Sequence, residues 1–178
     1  MPMDRGCRRQ MREILCILVL LGGAVLPMRA QGGLRAAVRP NLNGTWKLNA
    51  AQSDFGQVPP PIRQSEVVTQ AGDEFAIAIT LEREQGKQSY TLRFQAGGAE
   101  MPMAQGSFAD DAPFRILSVK GEWQGAVLVV MEKVSFQGEE GALKASYSLS
   151  AGGKVLRKMT HVAMNAGEFD TTTVYDRQ

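Results

Sequence analysis

The sequence predicts an all-β protein, an antiparallel up-and-down meander of about eight to ten strands that closes or nearly closes into a barrel. From residue 66 onward, apolar and polar residues alternate with a period of two, which is typical of strands with one buried and one solvated face. Glycine-containing turns interrupt this alternation, so each strand is expected to pair with the next one along the chain. No long window has the periodicity of an amphipathic helix. Closure is favoured because a barrel removes the exposed edges of a meander.

The alternation is clearest in four segments, which span residues 75–82, 90–94, 143–149 and 169–176. The intervening turns contain glycine, as at positions 72, 86, 125, 138 and 152–153. Segment 126–131 is apolar on both faces and predicts a strand that is covered on both sides. Residues 59–61 are three consecutive prolines, which cannot join the interior of a sheet and therefore predict a loop or an edge crossing.

The chain divides into three predicted regions. Residues 1–30 have a basic start, an apolar run from 14 to 26 and a small residue, Ala30, which together are typical of a secretory signal peptide. The run is shorter than the roughly 20 residues that cross a bilayer as a helix, so no stable membrane span is predicted. Cleavage is expected after Ala30, whether translation starts at Met1 or Met11. A flexible lead-in follows at 31–40, then a barrel domain at 41–178, in a periplasmic or secreted protein.

Removal of the signal peptide changes the chemistry available to the chain. The two cysteines, Cys7 and Cys16, both lie in residues 1–30, so the mature protein would contain no disulfide and no thiolate site. The formal charge also changes from +2 for the whole chain to −1 for residues 31–178, because five arginines are lost with only two acidic residues. No basic stripe remains to neutralise phosphates, so nucleic-acid binding is not predicted. The sequence predicts no cofactor.

A set of short motifs resembles a group of small secreted bacterial proteins with lipocalin-like (calycin-type) barrels, a group without a settled function. The motifs span most of residues 42–176 and comprise Leu42–Asn49, Ser53–Gly56, Trp123–Gly125, Leu128–Val130, Tyr147–Ser150, Gly153–Lys154 and Thr173–Tyr175. The resemblance implies that Trp46 plugs the closed end of the barrel. It also implies a late arginine packed on that tryptophan, a role for which Arg157 and Arg177 are the candidates.

The residues with reactive side chains have plainer structural interpretations. His161 is the only histidine of the chain, so it cannot form a histidine metal cluster, although a histidine can act as a general base. Asp110–Asp111 and Glu139–Glu140 are adjacent pairs whose members point to opposite faces of a strand, and they read as solvated turn charges. Ser53–Asp54 lacks a local histidine and reads as a turn cap. We therefore predict no catalytic and no metal-ligating residue.

The leading functional hypothesis is a binding module without catalysis, which holds a small, largely apolar molecule, because an eight-stranded barrel can enclose one small ligand. The predicted ligand contacts are Trp46, Tyr90, Phe94, Tyr147, Met159 and His161. The alternative is a filled barrel without a ligand site, in an interaction or structural protein that binds an envelope protein partner. An enzyme that uses His161 is the third hypothesis, and it requires this histidine to point inward beside a carboxylate.

Overall fold

A computed structural model describes residues 38–104, 108, 112–150 and 152–178 of the chain. The predicted signal peptide, most of the predicted lead-in and the pair Asp110–Asp111 lie outside the described residues. Ten strands form the domain: β1 (Gly44–Leu48), β2 (Arg63–Ala71), β3 (Glu74–Arg83), β4 (Gly86–Gln95), β5 (Met101–Pro102), β6 (Phe114–Gln124), β7 (Val127–Phe136), β8 (Glu139–Leu149), β9 (Val155–Met164) and β10 (Gly167–Arg177). Within this described part, no helix reaches the length and hydropathy needed to cross a bilayer.

The strands form one antiparallel sheet in the order β4-β3-β2-β1-β10-β9-β8-β7-β6-β5. Consecutive strands are neighbours except β4 and β5, which lie at the two edges of the sheet, and β1 pairs with β10. The remaining gap, between β4 and β6, is bridged at one end by Ala96 and Gly121, where the Gly97 amide donates to the Gly121 carbonyl at 2.7 Å. The sheet is therefore a nearly closed lipocalin-like barrel of ten strands, and the predicted fold class is confirmed.

Glycine has a specific role where β4 meets β6. A Cβ atom built on Gly121 would lie 2.1 Å from the ring of Phe94, far inside van der Waals contact. The absence of a side chain therefore allows the Phe94 ring to lie against the β6 backbone, and this contact brings β4 and β6 together. β5, by contrast, is only two residues long, and it pairs with Ser118 and Val119 of β6. Met101 and Pro102 thus form a short edge strand.

One end of the barrel is sealed by aromatic side chains and by the segment that precedes β1. Trp46 is fully buried, and its Nε1 donates a hydrogen bond to the Leu42 carbonyl at 2.9 Å. The Arg177 guanidinium lies 4.3 Å from the centre of the Trp46 ring, and its Nη1 donates to the Asn43 carbonyl at 2.6 Å. Arg177 therefore fills the role for which Arg157 was the other candidate. We call this the closed end; its buried side chains are Leu42, Trp46, Phe75, Phe94, Leu128 and Leu156.

The loop after β1 is tied to β10 by the serine and aspartate of its turn. The Ser53 hydroxyl donates to the Asn49 carbonyl at 2.7 Å and accepts from the Val174 amide at 2.9 Å. Asp54 pairs with Thr172 and accepts from the Gly56 amide at 2.9 Å. A short 3₁₀ helix, Ala50–Gln52, precedes them. These bonds give Ser53 and Asp54 a turn role, as the sequence predicts.

The end opposite the closed end is more open to solvent. On β3, β4, β8 and β9 the inward-facing residues become partly exposed as they approach this end, as seen at Leu81, Gln88, Leu143, Thr160 and Met164. On β6 and β7, Ile116 and Val134 stay buried there. We call this the accessible end. The contrast means that a molecule entering the barrel interior meets the smallest barrier at the accessible end.

Candidate ligand-binding interior

Between the two ends, the barrel interior contains a layer of polar side chains contributed by five different strands. Alternation along each strand turns these side chains inward, so they share the interior with aliphatic neighbours. We call them the polar layer: Glu66 (β2), Glu132 (β7), Tyr147 (β8), Lys158 (β9) and Tyr175 (β10). Charged groups are rarely buried unless they are paired, so this layer is the chemically distinctive feature of the interior.

Glu66 is the centre of the layer. Its side chain has no exposed surface, and its Oε1 accepts from Lys158 Nζ at 2.9 Å and from the Tyr175 hydroxyl at 2.9 Å. Gln64 Nε2 approaches the same oxygen at 3.3 Å and donates to the Tyr175 hydroxyl at 2.8 Å. The result is a buried ion pair held by a neutral network, in which the Lys158 side chain is 12% exposed.

The ionisation of this layer is perturbed in a consistent direction. Burial disfavours the ammonium of Lys158, but the neighbouring Glu66 carboxylate outweighs it and holds the pKa of Lys158 well above its usual value. Burial, followed by the charge of Glu66, raises the pKa of Tyr147 and of Tyr175. Lys158 is therefore a permanent cation at neutral pH, and both tyrosines remain protonated hydrogen-bond donors.

Several buried polar atoms have no hydrogen-bond partner among the described residues: Glu66 Oε2, the Tyr147 hydroxyl and Trp123 Nε1. The Lys158 ammonium lies 5.1 Å from the centre of the Tyr147 ring, so this lysine packs against the tyrosine. An unsatisfied buried polar atom costs roughly 1–3 kcal/mol, and such atoms are rare in folded proteins. The polar layer thus retains hydrogen-bonding capacity that the described side chains do not use.

Glu132 differs from Glu66 because no described residue forms a hydrogen bond with its carboxylate. Its side chain is 5% exposed, and no hydrogen bond from a described residue reaches its carboxylate. Burial raises the pKa of Glu132 to about 7; the Lys158 charge opposes this rise and the Glu66 charge adds to it. Glu132 therefore changes its charge near neutral pH, and a perturbed carboxylate of this kind is typical of functional sites.

The structure separates the six predicted ligand contacts into two groups. Trp46 and Phe94 are buried at the closed end, and Tyr147 is buried in the polar layer. Tyr90 faces inward on β4, where its ring packs against Phe108 with ring centres 5.3 Å apart. Burial, and then the Glu132 charge, raise the pKa of Tyr90. These four residues lie inside the barrel, in or around the polar layer. Their contact with a ligand remains a prediction.

Met159 and His161 lie on the outside of the barrel, because the inward positions of β9 are those of Leu156 and Lys158. Met159 is 54% exposed. His161 Nδ1 lies 2.9 Å from Asp170 Oδ1, and its Nε2 lies 3.7 Å from Glu168 Oε2, in an exposed group on the outer face. The carboxylate partners required by the enzyme hypothesis are therefore present, but they are outside the barrel and not within it.

The polar layer contains four residues that sequence reasoning did not select: Glu66, Glu132, Lys158 and Tyr175. A signal existed for Glu132, because it stands two positions from Val130 and two from Val134, in the inward phase of an apolar strand. A charged residue in phase with buried neighbours is the pattern that reveals an interior ionisable group. Lys158 has the same relation to Leu156.

Other parts of the described structure are less suited to binding a ligand or a metal ion. Two surface depressions of about 460 and 340 Å³ lie on the outer wall, and the residues that line them include Lys47 and Gln178 but none of the polar layer. Among the residues that the structure describes, no group of three or more His, Cys, Asp or Glu side chains is arranged to hold a metal ion. The barrel interior is therefore the candidate site.

Comparison with known proteins yields structural neighbours only. No family model matches the sequence, and no curated protein matches it. A secretory abundant heat soluble protein from Ramazzottius varieornatus has a TM-score of 0.51 at 12% identity, over 76% of this chain and 94% of that one. Zebrafish ileal bile acid-binding protein complexed with cholic acid (TM-score 0.49, 14% identity, 76% and 98% coverage) and human cRBP IV (0.49, 13%, 78% and 99%) are also similar. At these identities the first structure shows a shared fold and nothing finer.

Proposed function

We propose that the protein is a secreted or periplasmic binding module that holds a small, largely apolar molecule inside its barrel and catalyses no reaction. The observation that carries this proposal is the polar layer, in which buried groups retain unused hydrogen-bonding capacity between a sealed end and an accessible end. Binding sites for small molecules are mostly apolar with a few fixed polar groups. The interior of this barrel has that composition.

The geometry also suggests how the ligand is oriented. The apolar part of the ligand lies among the partly exposed aliphatic side chains of the accessible end, such as Leu81, Leu143 and Met164. Its polar group reaches Glu132, a member of the polar layer that retains some exposure. The aromatic floor of the closed end limits how deeply the ligand enters. Two of the neighbouring structures are named for binding proteins, and one of them is complexed with cholic acid, which is in keeping with this proposal.

The proposal that the protein is exported depends on the sequence of residues 1–30, which lie outside the described residues. Absence of catalysis rests on the position of His161, whose partners Glu168 and Asp170 are on the outer face. In the proposed arrangement this histidine cannot reach a molecule inside the barrel.

A second candidate function is favoured by the packing of the closed end and the polar layer. Trp46, Tyr147 and Tyr175 have no exposed surface, so no water-sized void adjoins them. If the accessible end were equally tight in solution, the barrel would be filled, and the protein would act through its outer surface on an envelope protein partner.

Binding of an uncharged dye distinguishes the two functions. Nile red fluoresces in apolar surroundings, so we expect it to bind the native full-length protein with saturable fluorescence. Leu143→Trp places an indole in the accessible end and should weaken binding by about tenfold or more. Met159→Trp adds the same side chain on the outer face of the adjacent strand and should leave binding unchanged.

Circular dichroism melts of both variants establish that each is folded. Saturable binding that is lost only in Leu143→Trp supports the interior site. No saturable binding, or equal effects of the two variants, would contradict the proposed function and favour the filled barrel.

A further inference from the structure

Both carboxylates of the polar layer have oxygens to which no described residue donates a hydrogen bond. Glu66 Oε2 has no partner, and no described residue donates a hydrogen bond to Glu132. Among the described residues, Lys158 is the cation of this layer. Its ammonium already donates a hydrogen bond to Glu66 Oε1 at 2.9 Å. Tyr147 supplies one unused hydroxyl, which can donate or accept. What the layer lacks is therefore donors directed at carboxylate oxygens.

The charge balance leads to the same conclusion. Two carboxylates share the interior with one ammonium, so an anionic head group would be a third negative charge in a site shielded from water. Burying a charge without a partner is strongly unfavourable. A head group that donates hydrogen bonds would instead satisfy the acceptors that are already present.

We propose that the barrel selects a ligand whose head group is a non-anionic hydrogen-bond donor, an alcohol or an amine, and that this group binds against the Glu132 carboxyl group. The inference rests on the proposed function, because it names the class of ligand for the same interior site. Glu132 is the member of the layer placed to meet the head group, since its side chain retains slight exposure while Glu66 has none. Its cross-strand neighbours are Val119 on β6 and Leu143 on β8, so the side chains that flank Glu132 are apolar.

Other polar groups around the head group fit this role. Lys158 and Glu66 together form a neutral pair, so the charge that the head group meets is that of Glu132. The Tyr90 side chain also faces inward from β4, and the raised pKa of its phenol keeps it protonated. An alcohol can accept from such a hydroxyl and donate to Glu132, whereas an amine is expected to donate to Glu132 alone.

Competition among three chain-matched probes tests the inference. Decan-1-ol, decylamine and decanoate differ only in the head group, and each is titrated against Nile red bound to the full-length protein at about pH 8. We expect decanol and decylamine to displace the dye at concentrations about tenfold or more below that of decanoate. Glu132→Gln removes the negative charge and keeps the shape, so it should reduce this preference to about threefold or less. Glu139→Gln, which neutralises an exposed carboxylate at the start of β8, should keep the wild-type ratio.

The outcomes separate this inference from the proposed function. If decanoate displaces the dye as well as decanol does, the site binds chains without the proposed selectivity, and the inference fails while the binding function stands. If Glu132→Gln keeps the full preference, Glu132 is not the group that selects, and the inference fails. If none of the three chains displaces the bound dye from the wild-type protein, the inference fails, whereas absence of saturable dye binding contradicts the proposed function as well.

Discussion

Glu132→Gln should stabilise the protein at alkaline pH and have little effect at acidic pH. The folded state contains a buried carboxyl group with no described hydrogen-bond donor, and burial raises its pKa from 4.5 to about 7. Between these two pH values the folded protein retains a proton that the unfolded chain has released. The folded state therefore binds more protons than the unfolded state, and its stability falls as pH rises through this window. Glutamine does not titrate, so the variant escapes this loss.

The magnitude follows from the two pKa values. A difference between 4.5 and about 7 corresponds to about 3 kcal/mol of free energy of unfolding as an upper bound. The wild-type protein has lost this amount above about pH 8 and none of it below about pH 4. Glutamine leaves a buried amide with unused polar atoms, which reduces the gain to about 2 kcal/mol. The predicted sign is an increase in stability on removing a native charge.

Urea unfolding at about pH 5 and about pH 8 measures this effect directly. We expect the stability difference between Glu132→Gln and the wild type to grow between the two pH values, by about 2 kcal/mol. Glu139→Gln removes an exposed carboxylate and should show a difference near zero at both. If Glu132→Gln is less stable than the wild type at pH 8, or if the difference is independent of pH, the account of an unpartnered interior carboxyl group is refuted.

Three further substitutions test the interior network, the closed end and the closure of the barrel. Lys158→Met leaves the Glu66 carboxylate buried without its cation and should cost about 3–5 kcal/mol in urea unfolding, whereas adding Glu66→Gln to it should recover part of the loss. Arg177→Ala removes the cation that lies on the first tryptophan ring and should cost about 1–2 kcal/mol, read as a lower melting temperature. Gly121→Ala places a Cβ 2.1 Å from the Phe94 ring and should cost about 1–3 kcal/mol in the same assay, while an unchanged melting temperature would contradict the close approach of β4 and β6.

The sequence was sufficient for the fold because the fold depends on local signals. Period-two alternation and glycine turns specify each hairpin separately, and a chain of hairpins gives an up-and-down meander without long-range information. The turn at Gly138, which has a φ of 87°, illustrates such a signal, since this backbone conformation strongly favours glycine. Ser53 and Asp54 were also predictable, because an Asx or Ser turn is formed within a few residues.

The site was harder to predict because it depends on which face of each strand is inward. That choice is set by pairing between strands, and a shift of one residue exchanges the two faces. Met159 and Lys158 are adjacent, yet one lies outside and the other in the polar layer. Glu66 gave no signal in a mostly polar strand, and its importance appears only when Lys158 and Tyr175 are brought to it from the other end of the chain.

Intact-mass measurement of the natively purified protein tests the central claim most directly. The full chain is expressed with its own N-terminus, collected from the exported fraction and measured by mass spectrometry under native and then denaturing conditions. We expect a native mass that exceeds the denatured mass by one small molecule. The denatured mass should correspond to a chain that begins at Gln31. A native mass equal to the denatured mass, which stays equal after incubation with long-chain alcohols and amines, would contradict the central claim.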